Sequence, residues 1–286
     1  MSINVQPLTG HIGAEISGVD LNQIDDAQVR AIRTVWLQHK VIFIRHQSLT
    51  PDELVAAAQR FGNVERLHDG LNRLPGSDRV LLVETKEGQG DGPDGAFWHS
   101  DVTFAESPPM ASMMYAVKLP QVGGDTLFSS MTAAWEALSD PLKRVVRDLE
   151  AYHDGIPYFS SYLMQPSQTD GAQRLAALRT KEPGALHPVV RCHDETGENA
   201  LFVNRPFTQR ILGLSEVESR NLLNLLIEHA EQESFQVRWQ WSQGDVAFWD
   251  NRQAMHYPAY DYGNGHRLMH RVTLLGEKPR REAFTR

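Results

Sequence analysis

From Asp25 to His39 the apolar residues Val29, Ile32 and Trp36 recur at the spacing of one helical face, which predicts a helix packed on its Trp36 side. The tetrad Val41-Ile42-Phe43-Ile44 follows at once and predicts a buried strand. Thr50-Pro51-Asp52-Glu53 supplies an N-cap, a proline at the first helical position and a capping-box glutamate, so a second helix is expected to run to about Phe61. From Arg79 onward short runs with strand character dominate: Val80 to Val83, Trp98 to Phe104, Ser112 to Val117, Thr126 to Ser129, Leu186 to Arg191, Leu201 to Asn204, Phe235 to Trp241, Val246 to Trp249 and Leu268 to Leu275. So many strands require a barrel or a sandwich. Helices are expected to interrupt them only over Thr132 to Leu149 and Ser215 to Gln232, the latter opened by a Ser215/Glu218 capping box. Segments 87–95 and 166–184, rich in Gly, Asp, Gln and Pro, read as long loops or lids.

No repeat, low-complexity tract or flexible linker divides the chain, so one domain over residues 1–286 is expected. With 41% hydrophobic and 22% charged residues the composition is that of a globular protein with a full core. Lysine and arginine total 28 against 36 acidic residues, a net charge of −8, which argues against duplex nucleic acid as a partner. The single Cys192 cannot form an internal disulfide, which suits a reducing compartment. No basic, apolar leader and no run of ~18 apolar residues is visible, so a cytoplasmic location without a membrane is expected.

Chemistry concentrates at three places. In a strand His99 and Asp101 would share one face and could converge on an ion, although a lone His-x-Asp is commonly just a surface histidine beside a hydrogen-bonded aspartate. Trp249-Asp250-Asn251-Arg252 leads to a second imidazole, His256. Two histidines and one carboxylate form a three-ligand face that leaves positions on Fe(II) open for an organic co-ligand and dioxygen; a zinc hydrolase could use the same three with an activated water. The third place is a strand on which Arg267, Met269 and Arg271 share one face and His266, Leu268 and His270 the other. Its two arginines would stand about 13 Å apart at ~3.3 Å per residue, and inward guanidinium groups need anions. Two separate anions, an arginine ladder paired with rim carboxylates, or a metal-free anion-binding barrel all fit that pattern. His266 and His270 stand too far apart to share an ion, His187 and His193 have no third ligand nearby and read as packing or exposed residues, and Trp98 and Trp249 read as packing beside the candidate ligands.

Leu8-Thr9-Gly10 with Gly13 to Asp20, Trp98-His99-Ser100-Asp101-Val102-Thr103-Phe104, Gly123-Gly124-Asp125-Thr126, Trp249-Asp250-Asn251-Arg252 with His256, and His270-Arg271-Val272-Thr273 together resemble the Fe(II)- and 2-oxoglutarate-dependent dioxygenases of the taurine dioxygenase type. The resemblance covers nearly the whole chain. It implies a mainly β fold with flanking helices, the double-stranded β-helix or cupin-like jelly roll. It also implies His99, Asp101 and His256 as iron ligands, Thr126 and Arg267 on the distal carboxylate of 2-oxoglutarate, and dioxygen as the second co-substrate. Arg271 would hold the substrate anion, with the Val102 N–H as a further donor, Phe159 and Phe207 as apolar walls, and His68 near the place of the family's substrate histidine. Gly95 stands where taurine dioxygenases carry an asparagine that contacts the substrate amine, so an amine-free substrate is expected. The implied activity is hydroxylation of a C–H bond in a small organic anion, in the first reading a taurine-like sulfonate that then releases sulfite. An alkyl sulfate or an aryloxy or alkyl carboxylate is the alternative. The hydrolase and the simple anion-binding barrel each leave part of the set His99, Asp101, His256, Thr126 and Arg267 without a use. The expected partner is that small anion, with assembly into a homo-oligomer left open.

Overall fold

A computed structural model describes residues 3–67, 72–87, 97–164 and 170–282. Its strands are β1 (Asn4–Pro7), β2 (Ala14–Ser17), β3 (Val41–Ile44), β4 (Leu81–Thr85), β5 (Ala111–Lys118), β6 (Thr126–Ser130), β7 (Glu150–His153), β8 (Ala185–Pro188), β9 (Val190–Cys192), β10 (Asn199–Leu201), β11 (Thr208–Ile211), β12 (Gln236–Trp239), β13 (Val246–Asp250), β14 (Ala254–Pro258) and β15 (Arg267–Leu274). The helices are α1 (Asp26–His39), α2 (Pro51–Gln59), α3 (Met131–Ala137), α4 (Asp140–Val146), α5 (Ile156–Leu163), α6 (Gly171–Lys181) and α7 (Glu216–Ala230). Capping boxes open α1 (Asp25/Gln28), α2 (Thr50/Glu53) and α7 (Ser215/Glu218), satisfying backbone donors that the first turn of a helix leaves unpaired.

Seven strands form one sheet in the order β1-β2-β3-β13-β5-β15-β4, antiparallel except for β2 beside β3. A three-stranded sheet, β12-β6-β14, faces it. Between the two lies a core of Val41, Phe43, Met114, Ala116, Trp249 and Met269 from the large sheet and Phe128, Val237, Trp239 and Ala254 from the small one. The alternate residues of the same strands, among them Ile42, Ile44, Met113, Phe248, Val272 and Leu274, turn outward and pack under Ile32 and Trp36 of α1 and Leu54 of α2. That is why the tetrad Val41 to Ile44 is apolar throughout: both faces of β3 are covered. Trp36 stacks on Phe248 at 4.4 Å, and full burial of a side chain of this class contributes about 1.5–3 kcal/mol. Two sheets face to face, with helices outside, make the double-stranded β-helix, or jelly roll, that the family resemblance implied, a form of the sandwich that the strand count required.

Several expectations need correction. The strand expected over Leu201 to Asn204 ends at Leu201, as β10, and the run Leu186 to Arg191 divides into β8 and β9. Trp98 to Phe104 is not a strand: His99 makes an isolated bridge to His256, and a turn begins at Asp101 with Val102 at φ +50°. The segment expected as one helix over Thr132 to Leu149 is two, α3 and α4, because the chain restarts at Ser139 and Pro141 lies in the first turn of α4, where its missing N–H leaves no bond unmade. Within the expected loop 166–184, α6 forms over Gly171–Lys181, where Ala, Leu, Gln, Arg and Lys outweigh the flanking Pro and Gly. Strands β1, β2, β7, β11 and β14 and helix α5 were not expected at all; most span four or five residues, too few for periodicity to show. The segment 88–96, which holds most of the other expected loop and Gly95, lies outside the described residues. No helix among the described residues is long and apolar enough to cross a membrane.

Candidate active site

The site lies between the two sheets. On β14, His256 sits opposite Phe128 of β6, and one inward position further Pro258 sits opposite Thr126, so this sheet lines the site with an imidazole and a hydroxyl. His99 is brought alongside by two backbone bonds, His99 N–H to the His256 carbonyl at 3.0 Å and His256 N–H to the His99 carbonyl at 2.8 Å. Their rings lie 4.2 Å apart. The turn beginning at Asp101, rather than strand alternation, swings its carboxylate in, with Oδ1 4.0 Å from His99 Nε2. Ligand atoms of His99, Asp101 and His256 all lie within 4.8 Å of one another.

The electrostatics suit a cation. Desolvation lowers the His99 pKa, and burial together with the neighbouring His99 brings His256 down to about 3, so both rings are neutral at pH 7 and offer lone pairs. His99 Nδ1 lies 2.8 Å from the Phe97 carbonyl, which can only accept, so Nδ1 carries the proton and Nε2 is free to bind metal. Burial alone would raise the Asp101 pKa, but the Arg271 guanidinium, the two histidines and the Ser112 hydroxyl outweigh it and hold this carboxyl well below the usual carboxylate range. Asp101 Oδ2 accepts from Ser112 Oγ at 2.7 Å and from Asn251 Nδ2 at 3.3 Å. Asn251 Oδ1 in turn accepts from the Trp249 indole at 3.0 Å and from the Asp101 backbone N–H at 3.3 Å. Trp249, expected only to pack, thus also orients Asn251. Two neutral imidazoles and one oriented carboxylate on a single face fit Fe(II) with open positions opposite.

A second polar group lies further along the cavity. Arg267 is buried, and its Nε donates to the Gly124 carbonyl at 3.1 Å, which leaves the guanidinium tip for a ligand. The Gly123-Gly124 turn makes this approach possible: Gly124 has φ +75°, and a Cβ there would stand 3.2 Å from Arg267 Cδ. Thr126 Oγ1 accepts from the Trp241 indole at 3.0 Å. Arg271, on the same face of β15, donates through Nη1 to Asp101 Oδ1 at 3.0 Å, while its buried Nε has no partner among the described residues. Both arginines line one cavity of about 160 Å³ together with His99, His256, Thr126 and Trp241, and Phe97, Tyr158, Pro206 and Phe207 form an apolar wall.

Among the other expected site residues, Val102 follows Asp101 with a left-handed backbone that a β-branched residue adopts only under constraint. Phe207 lines the cavity, but Phe159 does not: it packs against Phe104 and Phe207, with ring centroids 5.8 and 6.3 Å away, and its neighbour Tyr158 takes the wall position. One helical step decides which of two adjacent aromatic residues faces in. His68 and Gly95 lie outside the described residues. His266 pairs with Glu84 at 2.9 Å, and His187 and His193 are both buried, His193 donating to Asp250 at 3.0 Å. Sequence reasoning missed Ser112, Trp241, Tyr158 and Phe97, and it named Asn251 within a motif without its role of holding Asp101. Only Trp241 carried a signal, since it continues the inward parity of Val237 and Trp239.

A jelly roll with two histidines and a carboxylate on one metal face, and a buried guanidinium further along the same cavity, defines an Fe(II)- and 2-oxoglutarate-dependent dioxygenase. The chain belongs to the Taurine catabolism dioxygenase TauD, TfdA family, whose profile matches residues 4–273. It is 36% identical over 282 residues to an alpha-ketoglutarate-dependent sulfate ester dioxygenase of Pseudomonas putida, covering 98% of this chain and 91% of the relative. It is 34% identical over 279 residues to an alkylsulfatase of Acinetobacter baylyi, covering 96% and 86%. The crystal structure of a taurine dioxygenase from Burkholderia xenovorans superposes with a TM-score of 0.81 at 36% identity, covering 98% of this chain and 91% of that one. The protein is therefore a dioxygenase that works with Fe(II), 2-oxoglutarate and dioxygen.

Proposed function

We propose that the protein hydroxylates the carbon next to the anionic head of an amine-free organic anion, and that this substrate is an alkyl sulfate ester. The observation that carries the reading is the composition of the cavity. Arg271 has an unpartnered Nε beside the metal face, the opposite wall is apolar, and beyond Asp101 no carboxylate among the described residues stands ready for a substrate ammonium. A head with three sulfate oxygens suits the guanidinium fork, and an alkyl chain suits Phe97, Tyr158 and Phe207. The two relatives named for alkyl sulfate or sulfate ester chemistry support the same choice.

In this assignment His99, Asp101 and His256 hold Fe(II), Thr126 and Arg267 hold the distal carboxylate of 2-oxoglutarate, and Arg271 with the Val102 N–H holds the substrate head. Fe(II) with 2-oxoglutarate, when bound there, would supply the oxidising power, with one oxygen atom of dioxygen ending in succinate beside released carbon dioxide and the other in the new hydroxyl. The chain supplies placement. Arg271 fixes the head, and the aromatic wall fixes the alkyl chain and excludes water, which would leave the carbon next to the head on the side of His99 and His256. A hydroxylated carbon that still bears sulfate collapses to an aldehyde and hydrogen sulfate. The free Cys192 and the ferrous site suit the reducing cytoplasm as the place of work.

The test compares linear alkyl sulfates, the matching sulfonates, taurine and phenoxyacetate as partners for 2-oxoglutarate turnover, with succinate, sulfate, sulfite and aldehyde measured together. Alkyl sulfates are expected to give sulfate, aldehyde and succinate in equal amounts. Better-coupled release of sulfite from sulfonates, or of phenol from phenoxyacetate, would replace the substrate assignment and leave the reaction class intact.

A further inference from the structure

Thr126 and Trp241 line the cavity beside Arg267, and the bond between them has a direction. An indole N–H is a donor only, so Thr126 Oγ1 must be the acceptor in the 3.0 Å contact with Trp241 Nε1. The Thr126 proton is then left for another acceptor, and no side chain among the described residues takes it. Thr126 is held between strands, opposite Trp239 of β12 and Pro258 of β14, which fixes its backbone in the cavity wall. Arg267 is oriented in a parallel way, its Nε occupied by the Gly124 carbonyl. Without the indole, a hydroxyl beside a guanidinium could turn a lone pair toward that cation and meet an incoming carboxylate with the wrong polarity.

The neighbouring tryptophan shows what packing alone looks like. Trp239 stacks on Phe43 at 4.0 Å and 8°, carries Arg45 over its ring at 4.0 Å, and leaves its buried Nε1 without a partner among the described residues. Trp241 is only partly buried, and its N–H is aimed at the Thr126 oxygen.

We infer that Trp241 is a positioning residue for 2-oxoglutarate: by occupying a lone pair of Thr126 Oγ1, it presents the hydroxyl proton to the distal carboxylate of the co-substrate. The inference rests on the assignment of Thr126 and Arg267 to that carboxylate. It goes beyond that assignment by giving the hydroxyl a donor polarity and naming the side chain that imposes it.

A double-mutant cycle tests it. The Fe(II)-loaded enzyme, Trp241→Phe, Thr126→Val and the double variant are titrated anaerobically with 2-oxoglutarate, following the visible absorption of the chelate, which needs no turnover. Trp241→Phe is expected to weaken 2-oxoglutarate about five-fold, the order of one net hydrogen bond, with the KM of the anionic substrate unchanged. In the Thr126→Val background the same substitution is expected to change affinity less than two-fold, because there is no hydroxyl left to orient. Equal losses in both backgrounds, or a loss shared by the substrate KM, would show that Trp241 acts through packing and would overturn the inference. Unchanged 2-oxoglutarate affinity in both Arg267→Ala and Thr126→Val would overturn the underlying carboxylate assignment, a result distinct from failure at Trp241 alone. If Trp241→Phe does not fold, Trp241→Leu is read in the same cycle.

Discussion

Arg271 Nη1 donates to Asp101 Oδ1 at 3.0 Å, so the guanidinium proposed to receive the substrate head touches the carboxylate of the metal face. Asp101 divides its two oxygens. Oδ1 faces Arg271 and the His99 ring, while Oδ2 is held from behind by Ser112 and Asn251. Anion recognition and metal binding therefore meet at one carboxylate.

That contact separates the two arginines of β15 by experiment. Arg271→Ala is expected to raise the KM of the anionic substrate about 10- to 100-fold, the value of a charge-assisted pair, while Fe(II) and 2-oxoglutarate still bind. Arg267→Ala is expected to raise the 2-oxoglutarate requirement by a similar factor with any substrate. Anaerobic absorption titrations read both. If Arg271→Ala lost the chelate band and Arg267→Ala kept it at the same 2-oxoglutarate concentration, the two roles would be exchanged.

Asn251 is expected to matter to the metal without touching it. Its amide bridges Asp101, Ser112 and the Trp249 indole, and removal of such an orienting partner typically costs 10- to 100-fold in metal affinity. Asn251→Ala should fall in that range, whereas His99→Ala, Asp101→Ala and His256→Ala should each abolish tight binding. Competition with a calorimetrically characterised chelator gives the constants. A wild-type constant for Asn251→Ala would show that Ser112 and packing suffice to hold Asp101.

Gly124 is expected to tolerate no side chain. An alanine would carry its Cβ at φ +75° and 3.2 Å from Arg267 Cδ, so Gly124→Ala should destabilise the fold by about 1 kcal/mol or more and weaken 2-oxoglutarate through a displaced guanidinium. Denaturant unfolding and the same titration measure the two effects. An unchanged 2-oxoglutarate constant would show that Arg267 reaches its ligand without the close Gly124 approach.

Stability should fall in mild acid for a reason outside the metal face. Burial brings the His187 pKa down to about 4, and its Nε2 donates to the Ala105 carbonyl at 2.9 Å. The unfolded chain takes up this proton near pH 6.5, so the contribution is complete above that pH and is lost as pH falls toward 4. It amounts to about 3 kcal/mol. His153, held well below its ordinary value by burial, acts in the same direction. Urea unfolding at a series of pH values should therefore show a shallower decline for His187→Gln than for the wild type. Parallel curves would assign the acid sensitivity to other groups.

What could be read from the sequence was what local physics controls. The caps at Thr50 and Ser215 announce α2 and α7 because a first turn must satisfy its own backbone donors, and the stripe Val29, Ile32 and Trp36 announces α1. The inward face shared by Arg267, Met269 and Arg271 follows from the two-residue repeat of a strand and needs no knowledge of the partner strands. The chemistry of His99, Asp101 and His256 is legible in the sequence, but a strand pattern misplaces His99 and Asp101, which lie at an isolated bridge and a turn. Tertiary structure decided the rest. A turn aims Asp101, the pairing of β14 and β12 with β6 gathers His256, Thr126 and Trp241, and the rotation of α5 selects Tyr158 over Phe159. Each depends on residues far apart in the chain meeting across two sheets, and no local propensity or periodicity encodes which side chains will meet there.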